Sequence, residues 1–452
     1  MVLLMLTITA YGEMGCGAAQ TQMGELNDDL RQVTERLNSD SEKNARVENL
    51  DGELEGYLRY AMISNPALKA NYELWRAQVA RVGASGKLPE PILSYGLFIR
   101  RIETRVGPQR HKFGLRQRLP WPDKLAASTD FEVASARAHE RLFEARALNL
   151  KRSVSDAWWR LWSIHQAKQV RREQLSLLNH MTASVRGRMQ VGGANISEIS
   201  QLDLVTSRLA DKLATLGAKE RSAAARLVSA IGAPAGTKTP ISLRQLIEMI
   251  PDESEQDLMA AARQHPRVQA QSMLIEQSEA SKRSAEADRF PNIILGLDYI
   301  ETGEHDGAMV QDDNGKDPLL ATVSLELPIW IDVYAAAEAA ADATKRARIA
   351  QKDNIEAHLQ AELQDALSVL GDSARRIKLF RDTLIPQGRT AYLAALGDYE
   401  IGQVEVASMI LAYRELLELR LGLITAQADH ARSWSWLESV AGRSVRAKEV
   451  TP

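Results

Sequence analysis

The nine residues His111-Lys112-Phe113-Gly114-Leu115-Arg116-Gln117-Arg118-Leu119 put Phe113, Leu115 and Leu119 on one side of an extended chain. Lys112, Gly114, Arg116 and Arg118 fall on the other. Side chains of a strand point to alternate faces, so this stretch reads as a β-strand with one face for an apolar medium and one for water. Upstream, Leu93, Tyr95, Leu97 and Ile99 alternate with Ile92, Ser94, Gly96 and Phe98. Downstream, Ile293, Leu295, Leu297 and Tyr299 oppose Asn292, Gly296 and Asp298. Leu319, Ala321, Val323, Leu325 and Leu327 oppose Thr322, Ser324 and Glu326. Each run is roughly 9 to 11 residues, the length a tilted strand needs to cross the hydrocarbon core of a bilayer.

A soluble antiparallel sheet with one solvated face gives the same alternation. Strand arithmetic separates the two readings. Four strands do not close a transmembrane barrel, which begins at about 8, and an open edge in lipid leaves backbone groups unpaired at several kcal/mol each. In a membrane this chain must oligomerise, and three copies supply roughly twelve strands. The polar stretches Arg100 to Arg110 and Thr302 to Pro318 read as loops at the water-facing end of such a barrel. At the other end, Pro120-Trp121-Pro122 and Pro328-Ile329-Trp330 stop the ladder. Trp121 and Trp330 there are either interfacial anchors or junction packing.

The strand pairs belong to a larger duplication. Asn65-Pro66-Ala67-Leu68 recurs as His265-Pro266-Arg267-Val268, Leu88-Pro89 as Phe290-Pro291, and Leu119-Pro120-Trp121 as Leu327-Pro328-Ile329. Met189-Gln190-Val191-Gly192 recurs as Tyr399-Glu400-Ile401-Gly402, and Leu227 to Gly232 answers Leu437 to Gly442. The period of about 200 residues marks a duplicated domain rather than a solenoid. Each copy reads as a short helix, two strands and two very long helices.

From about Asp123 to Gln190 there is no proline, and the predicted helix is on the order of 100 Å long. Phe143, Ala147, Leu150, Val154, Ala157, Leu161 and Ile164 step by four and three, the seam of a coiled coil. The return helix carries Leu202, Val205, Leu209 and Leu216, and its counterpart in the second copy carries Val406, Met409, Tyr413 and Leu416. The outgoing helix of the second copy, about Val333 to Glu400, contains Pro386, which removes a backbone donor and predicts a kink.

Composition narrows the function. Net charge is -3, with 56 basic and 59 acidic residues, and no basic stripe stands out, which argues against a nucleic-acid partner. The eight histidines are scattered, with no zinc, di-iron or phosphate-loop motif, so no enzyme and no cofactor is expected. His305, flanked by Glu304 and Asp306, sits in a polar loop. Met1 to Ala10 is apolar and short, a signal-peptide core without a preceding Lys or Arg. Cys16, the one cysteine, lies between Gly15 and Gly17 in a loose likeness of a lipoprotein processing site, from which Glu13 departs. The alternatives for Cys16 are lipidation or removal with the signal.

In the order Asn65-Pro66-Ala67-Leu68 with Trp75, Leu88-Pro89-Glu90-Pro91, Arg105-Val106-Gly107-Pro108-Gln109, Leu119-Pro120-Trp121-Pro122-Asp123-Lys124-Leu125 and Tyr399-Glu400-Ile401-Gly402, the chain resembles the TolC-type outer-membrane efflux proteins from about Leu50 to Gly442. The resemblance implies a mainly α fold with a membrane β-barrel, built from two repeats as a homotrimer with a twelve-strand barrel and a periplasmic helical tunnel. It also implies partners: a periplasmic adaptor, an inner-membrane pump of the resistance-nodulation-division type, and outer-membrane lipid. The function so implied is passive exit of substrates, without catalysis; a coiled-coil scaffold of the cell envelope is the alternative.

On this pattern Gly192, Glu198, Tyr399, Gly402 and Glu405 form the periplasmic entrance and adaptor contact. Ser408 and Leu411 stand where the second repeat of the family often carries Asp. Lys112, Arg116, Arg118, Asp298 and Glu326 line the barrel lumen. The expected segments are a signal at 1–20, a polar segment at 21–52, repeats at 53–240 and 241–445, and a tail at 446–452.

Overall fold

The computed structural model describes residues 21–35, 50–190, 195–243, 248–304 and 312–450, with side chains to residue 448. The apolar N-terminus with Cys16, Gly192 and His305 lie outside them. Helices α1 (residues 21–35), α2 (Leu54–Ser64) and α3 (Pro66–Val82) precede strands β1 (Ile92–Thr104) and β2 (Gly107–Leu119). The long pair α4 (Pro122–Gln190) and α5 (Ile196–Ile231) follows. The second copy runs β3 (Glu248–Pro251), α6 (Glu255–Arg263), α7 (Pro266–Ala287), β4 (Asn292–Thr302), β5 (Leu319–Glu326), α8 (Ile331–Leu379), a π-helical turn (Phe380–Leu384), α9 (Ile385–Glu400), α10 (Val406–Ala441) and β6 (Ala447–Val450). Within each repeat two helices, not one, therefore stand before the strand pair, split at Asn65-Pro66 and His265-Pro266, with α1 preceding the first repeat.

These residues form two compact units that cut across the repeats. One takes in the chain up to Gln32, Glu73–Glu140 and Gln269–Asp353. The other takes in Val33–Tyr72, Arg141–Val268 and Asn354–Pro452.

In the first unit the four long strands make one antiparallel sheet in the order β1-β2-β4-β5. The first two strands are 13 residues each, longer than their alternation predicts, because the chain stays extended through an irregular stretch after Leu97 and pairing resumes at Ile102 with Gln109. The expected loop from Arg100 to Arg110 shrinks to the turn at Arg105-Val106. Gly107 there has φ 126°, and a Cβ would sit 1.7 Å from the Gly303 carbonyl oxygen, so only glycine fits. That approach ties the two hairpin ends together. Gly303 N–H donates to Pro108 O at 2.8 Å, Gly315 N–H to Val106 O at 2.7 Å, and Arg105 pairs with Asp313 at 2.6 Å. At the opposite end Trp121 stacks on Phe290 with ring centres 4.9 Å apart, which is junction packing, whereas Trp330 stays 70 % exposed. The starts of α4 and α8 are held to α7 by polar contacts: Lys124 to Asp288, Arg283 to Asp130 at 2.8 Å and Lys282 to Asp342 at 3.0 Å.

The second unit holds the coiled-coil arms. Val154, Leu161, Leu202, Leu209, Val406, Met409 and Leu416 are buried as the heptads predict. In the outgoing arm of the second copy, Leu363, Leu370 and Ile377 recur at seven-residue steps, and so do Tyr392 and Tyr399. The two series are out of step by one residue. The π turn lies between them, where Ile385 N–H donates to Phe380 O, five residues back. Pro386 cannot donate, and this wider turn stands where a kink was expected. The arm comprises spans of 49, 5 and 16 residues, one more in total than the 69 of α4, so the turn houses the extra residue. The Phe380 ring fits because Gly422 faces it; a Cβ there would lie 2.6 Å from Phe380 Cζ.

The motifs that open each repeat share one role. Asn65 Oδ1 accepts from Ala67 N–H at 2.9 Å and Leu68 N–H at 3.0 Å, capping α3, while its Nδ2 donates to Ala230 O at 2.9 Å near the end of α5. His265 does the same with a ring: Nδ1 accepts from Arg267 N–H at 3.0 Å, leaving Nε2 to donate to Ser439 O at 3.0 Å. Opposite each sits a left-handed glycine, Gly232 or Gly442, both at φ 74°. A Cβ on Gly232 would come within 2.7 Å of Pro66 Cδ.

A small sheet that period-two reading is too coarse to find pairs β3 with β6. It is anchored by Met249 N–H donating to Nε2 of fully buried His430 at 3.2 Å, and by Glu253, which binds Arg443 and accepts from Arg446 N–H at 2.9 Å. The hydrogen bonds from Arg443 and the Arg446 amide pull the Glu253 pKa down to about 2.

Asn65→Ala and His265→Ala should each cost about 0.5–2 kcal/mol, the range for losing a helix cap, seen as a lower midpoint of thermal unfolding. His265→Asn should keep most of the native stability. Burial lowers the pKa of His265 and His430, so the unfolded chain takes up protons first as pH falls. Their contribution is complete above the free-histidine value of about 6.5 and is lost progressively below it. Melting midpoints measured across that range should fall, with a smaller slope in His430→Asn.

Candidate functional site

The register of the large sheet decides which side chains share a face. Lys112 pairs with Gly96 and Ile300, Gly114 with Ser94 and Asp298, Arg116 with Ile92 and Gly296, and Arg118 with Ile294. Residues directly opposite in an antiparallel ladder lie on one side. Lys112, Arg116, Arg118, Asp298 and Glu326 are therefore brought onto a single face. Lys112 Nζ reaches Asp298 Oδ2 at 3.2 Å, and Arg118 reaches Glu326 at 2.6 Å, with Asn292 also donating to Glu326 at 2.8 Å. Asp298 is only 3 % exposed, and its Oδ1 has no partner among the described residues. Gly114 makes the space it occupies: a Cβ would come within 2.5 Å of both Asp298 Oδ1 and Ser94 Oγ.

The other face carries Leu93, Tyr95, Leu97, Phe113, Leu115, Leu297, Tyr299, Leu319, Val323 and Leu325, by the same register. Its apolar side chains stand open, Leu93 at 78 % and Val323 at 72 % exposure, which in a water-facing monomer is an uncovered hydrophobic patch. Tyr95, Phe113 and Tyr299 form an aromatic row across it, with centroids 5.3 and 6.4 Å apart, and His111 stacks beyond Tyr95. Beyond the sheet, Leu327, Ile329, Trp330, Ile331 and Val333 continue the exposed apolar surface.

At the far end of the arms, Tyr399 and Glu198 come together although 201 residues separate them. The Tyr399 hydroxyl donates to Glu198 Oε2 at 3.4 Å, and the Arg188 guanidinium lies 4.9 Å from the Tyr399 ring centre. Glu198 is placed by its own helix: Asn195 caps α5 by accepting from the Glu198 amide at 3.0 Å. Burial, with the Glu198 carboxylate adding to it, raises the Tyr399 pKa, so the hydroxyl remains a donor. Gly402 has φ 76°, and Glu405 is exposed at the start of α10 with no side-chain cap. Neither joins the Tyr399 contact, and Gly192 lies outside the described residues. Arg188, which completes the contact, carried no motif; its position one turn before the hairpin end was the only signal. Beneath it Leu178, Val185, Ile199, Leu202, Val406 and Met409 form the core that joins both arms.

Among the described residues no group of three His, Cys, Asp or Glu is placed to hold a metal ion. No helix among them is long and apolar enough to cross a membrane.

No family model matches the chain. It is 20% identical over 279 residues to the outer membrane efflux protein BepC of Brucella suis, and this match spans 60% of the chain and 59% of BepC. A membrane protein from Pseudomonas aeruginosa has the same fold at a TM-score of 0.73, with 18% identity over 88% of this chain and 91% of that one. The outer-membrane channel OprN has it at 0.72, with 16% identity over 86% and 89%. The chain therefore shares its fold with these solved outer-membrane structures.

Proposed function

We propose that the chain is the outer-membrane exit duct of a tripartite efflux system, a homotrimer that conducts substrates passively from an inner-membrane pump and a periplasmic adaptor to the outside. The observation that carries this reading is the four-strand sheet with two unpaired edges, β1 and β5, and one face of exposed apolar side chains. Such a sheet is costly in water and costly as a lone piece in lipid. It is satisfied in lipid when the β5 edge of one copy meets the β1 edge of the next.

On this reading Lys112, Arg116, Arg118, Asp298 and Glu326 line the barrel lumen, and the apolar face meets lipid. Gly192, Glu198, Tyr399, Gly402 and Glu405 form the periplasmic entrance and the adaptor contact, with Arg188, Tyr399 and Glu198 holding the two arms of one copy together. The pump is of the resistance-nodulation-division type. The resemblance to BepC, described as an efflux protein, supports the transport role.

Membrane fractionation and crosslinking of the expressed protein test the reading. A trimer in the outer-membrane fraction is expected; a soluble monomer after detergent-free lysis would sink the duct and leave a scaffold. Phe113→Asp and Leu325→Asp, on the face assigned to lipid, should abolish trimer recovery, while Arg116→Ser should leave it intact. Lys112→Gln should be worse than Arg116→Ser by about 1–3 kcal/mol, because it strips the buried Asp298 of its cation. Thermal unfolding of the purified trimers measures that difference.

A further inference from the structure

In the second compact unit, α4, the C-terminal part of α5 and one residue of α10 enclose a groove of about 890 Å³. Its charged lining is Arg152, Arg160, Lys219, Arg226 and Arg432, against the single carboxylate of Asp156. In a chain with more acidic than basic residues, five cations around one acid is a concentration of charge that composition does not produce.

The nearby acids offset it only in part. Asp156 is shared, its Oδ2 accepting from Arg160 Nε at 2.7 Å and its Oδ1 from Arg432 Nε at 2.6 Å, and Asp429 also accepts from Arg432 at 3.2 Å. Arg152 lies 5.0 Å from the centre of the Trp436 ring and no closer than 4.0 Å to Glu362. Lys219 and Arg226 stand exposed two turns apart on one side of α5, and neither has an ion-pair partner among the described residues. Glu220, the obvious counter-charge, is engaged elsewhere by His165 at 2.9 Å and by Lys168.

The groove's side of α4 is also distinct from the helix's packing side. Val154, Trp158, Leu161 and Trp162 are buried, whereas Arg152, Asp156 and Arg160, each four residues from the next, remain open to solvent. Like charges held in a concave surface focus potential, and guanidinium forks grip carboxylate and phosphate oxygens in pairs. We propose that this groove binds a multivalent anion through its phosphate or carboxylate groups, with Lys219 and Arg226 as the uncommitted contacts and Asp156 as the group the anion competes with.

Isothermal titration of the purified, detergent-solubilised full chain with inorganic pyrophosphate and with citrate tests this, independently of any conduction. Saturable binding that weakens as salt rises is expected, with the tighter probe showing whether phosphate or carboxylate is preferred. The Lys219→Gln/Arg226→Gln double variant should bind about ten-fold more weakly or worse. Asp156→Asn, which releases Arg160 and leaves Arg432 to Asp429 alone, should bind more tightly. Absence of saturable binding to the native chain overturns the proposal, as does unchanged affinity in a double variant that unfolds at the native temperature. Should the double variant not fold, the Asp156→Asn result decides, and equal or weaker binding there overturns it.

Discussion

Every backbone N–H and C=O at the edge of a sheet needs a partner, and in hydrocarbon water does not provide one. Alternate residues of an edge strand point these groups outward, so the β1 and β5 edges together leave on the order of ten residues unpaired. At several kcal/mol each in lipid, the deficit exceeds the whole stability of a typical domain. The remaining features of the first unit hold the strands and the helices that follow them in register. Gly107 and Gly303 bring the two hairpin ends into contact, and the α7 contacts fix where α4 and α8 start.

The second unit solves a different problem, holding long arms at a fixed place in each repeat. Asn65 and His265 cap one helix and grip the end of another, and each works against a glycine whose missing Cβ allows the approach. An amide and an imidazole perform the same geometry with different chemistry. The amide is indifferent to pH, whereas the imidazole serves only while its Nδ1 is free to accept. Duplication has therefore kept the joint and changed its sensitivity.

Much of this was legible in the residues. Alternation assigned the two faces of the sheet, because lipid-like and water-like positions differ sharply at Phe113 and Arg116. Heptads assigned the arms, because burial there recurs at fixed steps. The extent of β1 was not legible, since Arg100 and Arg101 look like loop although the chain stays extended. Nor was the β3–β6 sheet, whose four-residue strands carry no period. Tyr399 and Glu198 were each named by pattern, but the contact between them depends on two arms meeting in space. The cationic groove was hidden for the same reason: Arg152 and Arg432 are far apart in the chain, and overall charge near neutrality masks a local excess.

The π turn before Pro386 has a meaning for how such a chain diverges. Two halves that began alike drift in length one residue at a time, and an extra residue in a heptad arm would rotate everything beyond it by about 100°. Confining the surplus to one wide turn leaves Tyr392, Tyr399 and their neighbours facing the same way. The arm thus carries a built-in allowance for length, and descendants of the duplication are free to gain or lose a residue there without redesigning the hairpin end where Tyr399 meets Glu198.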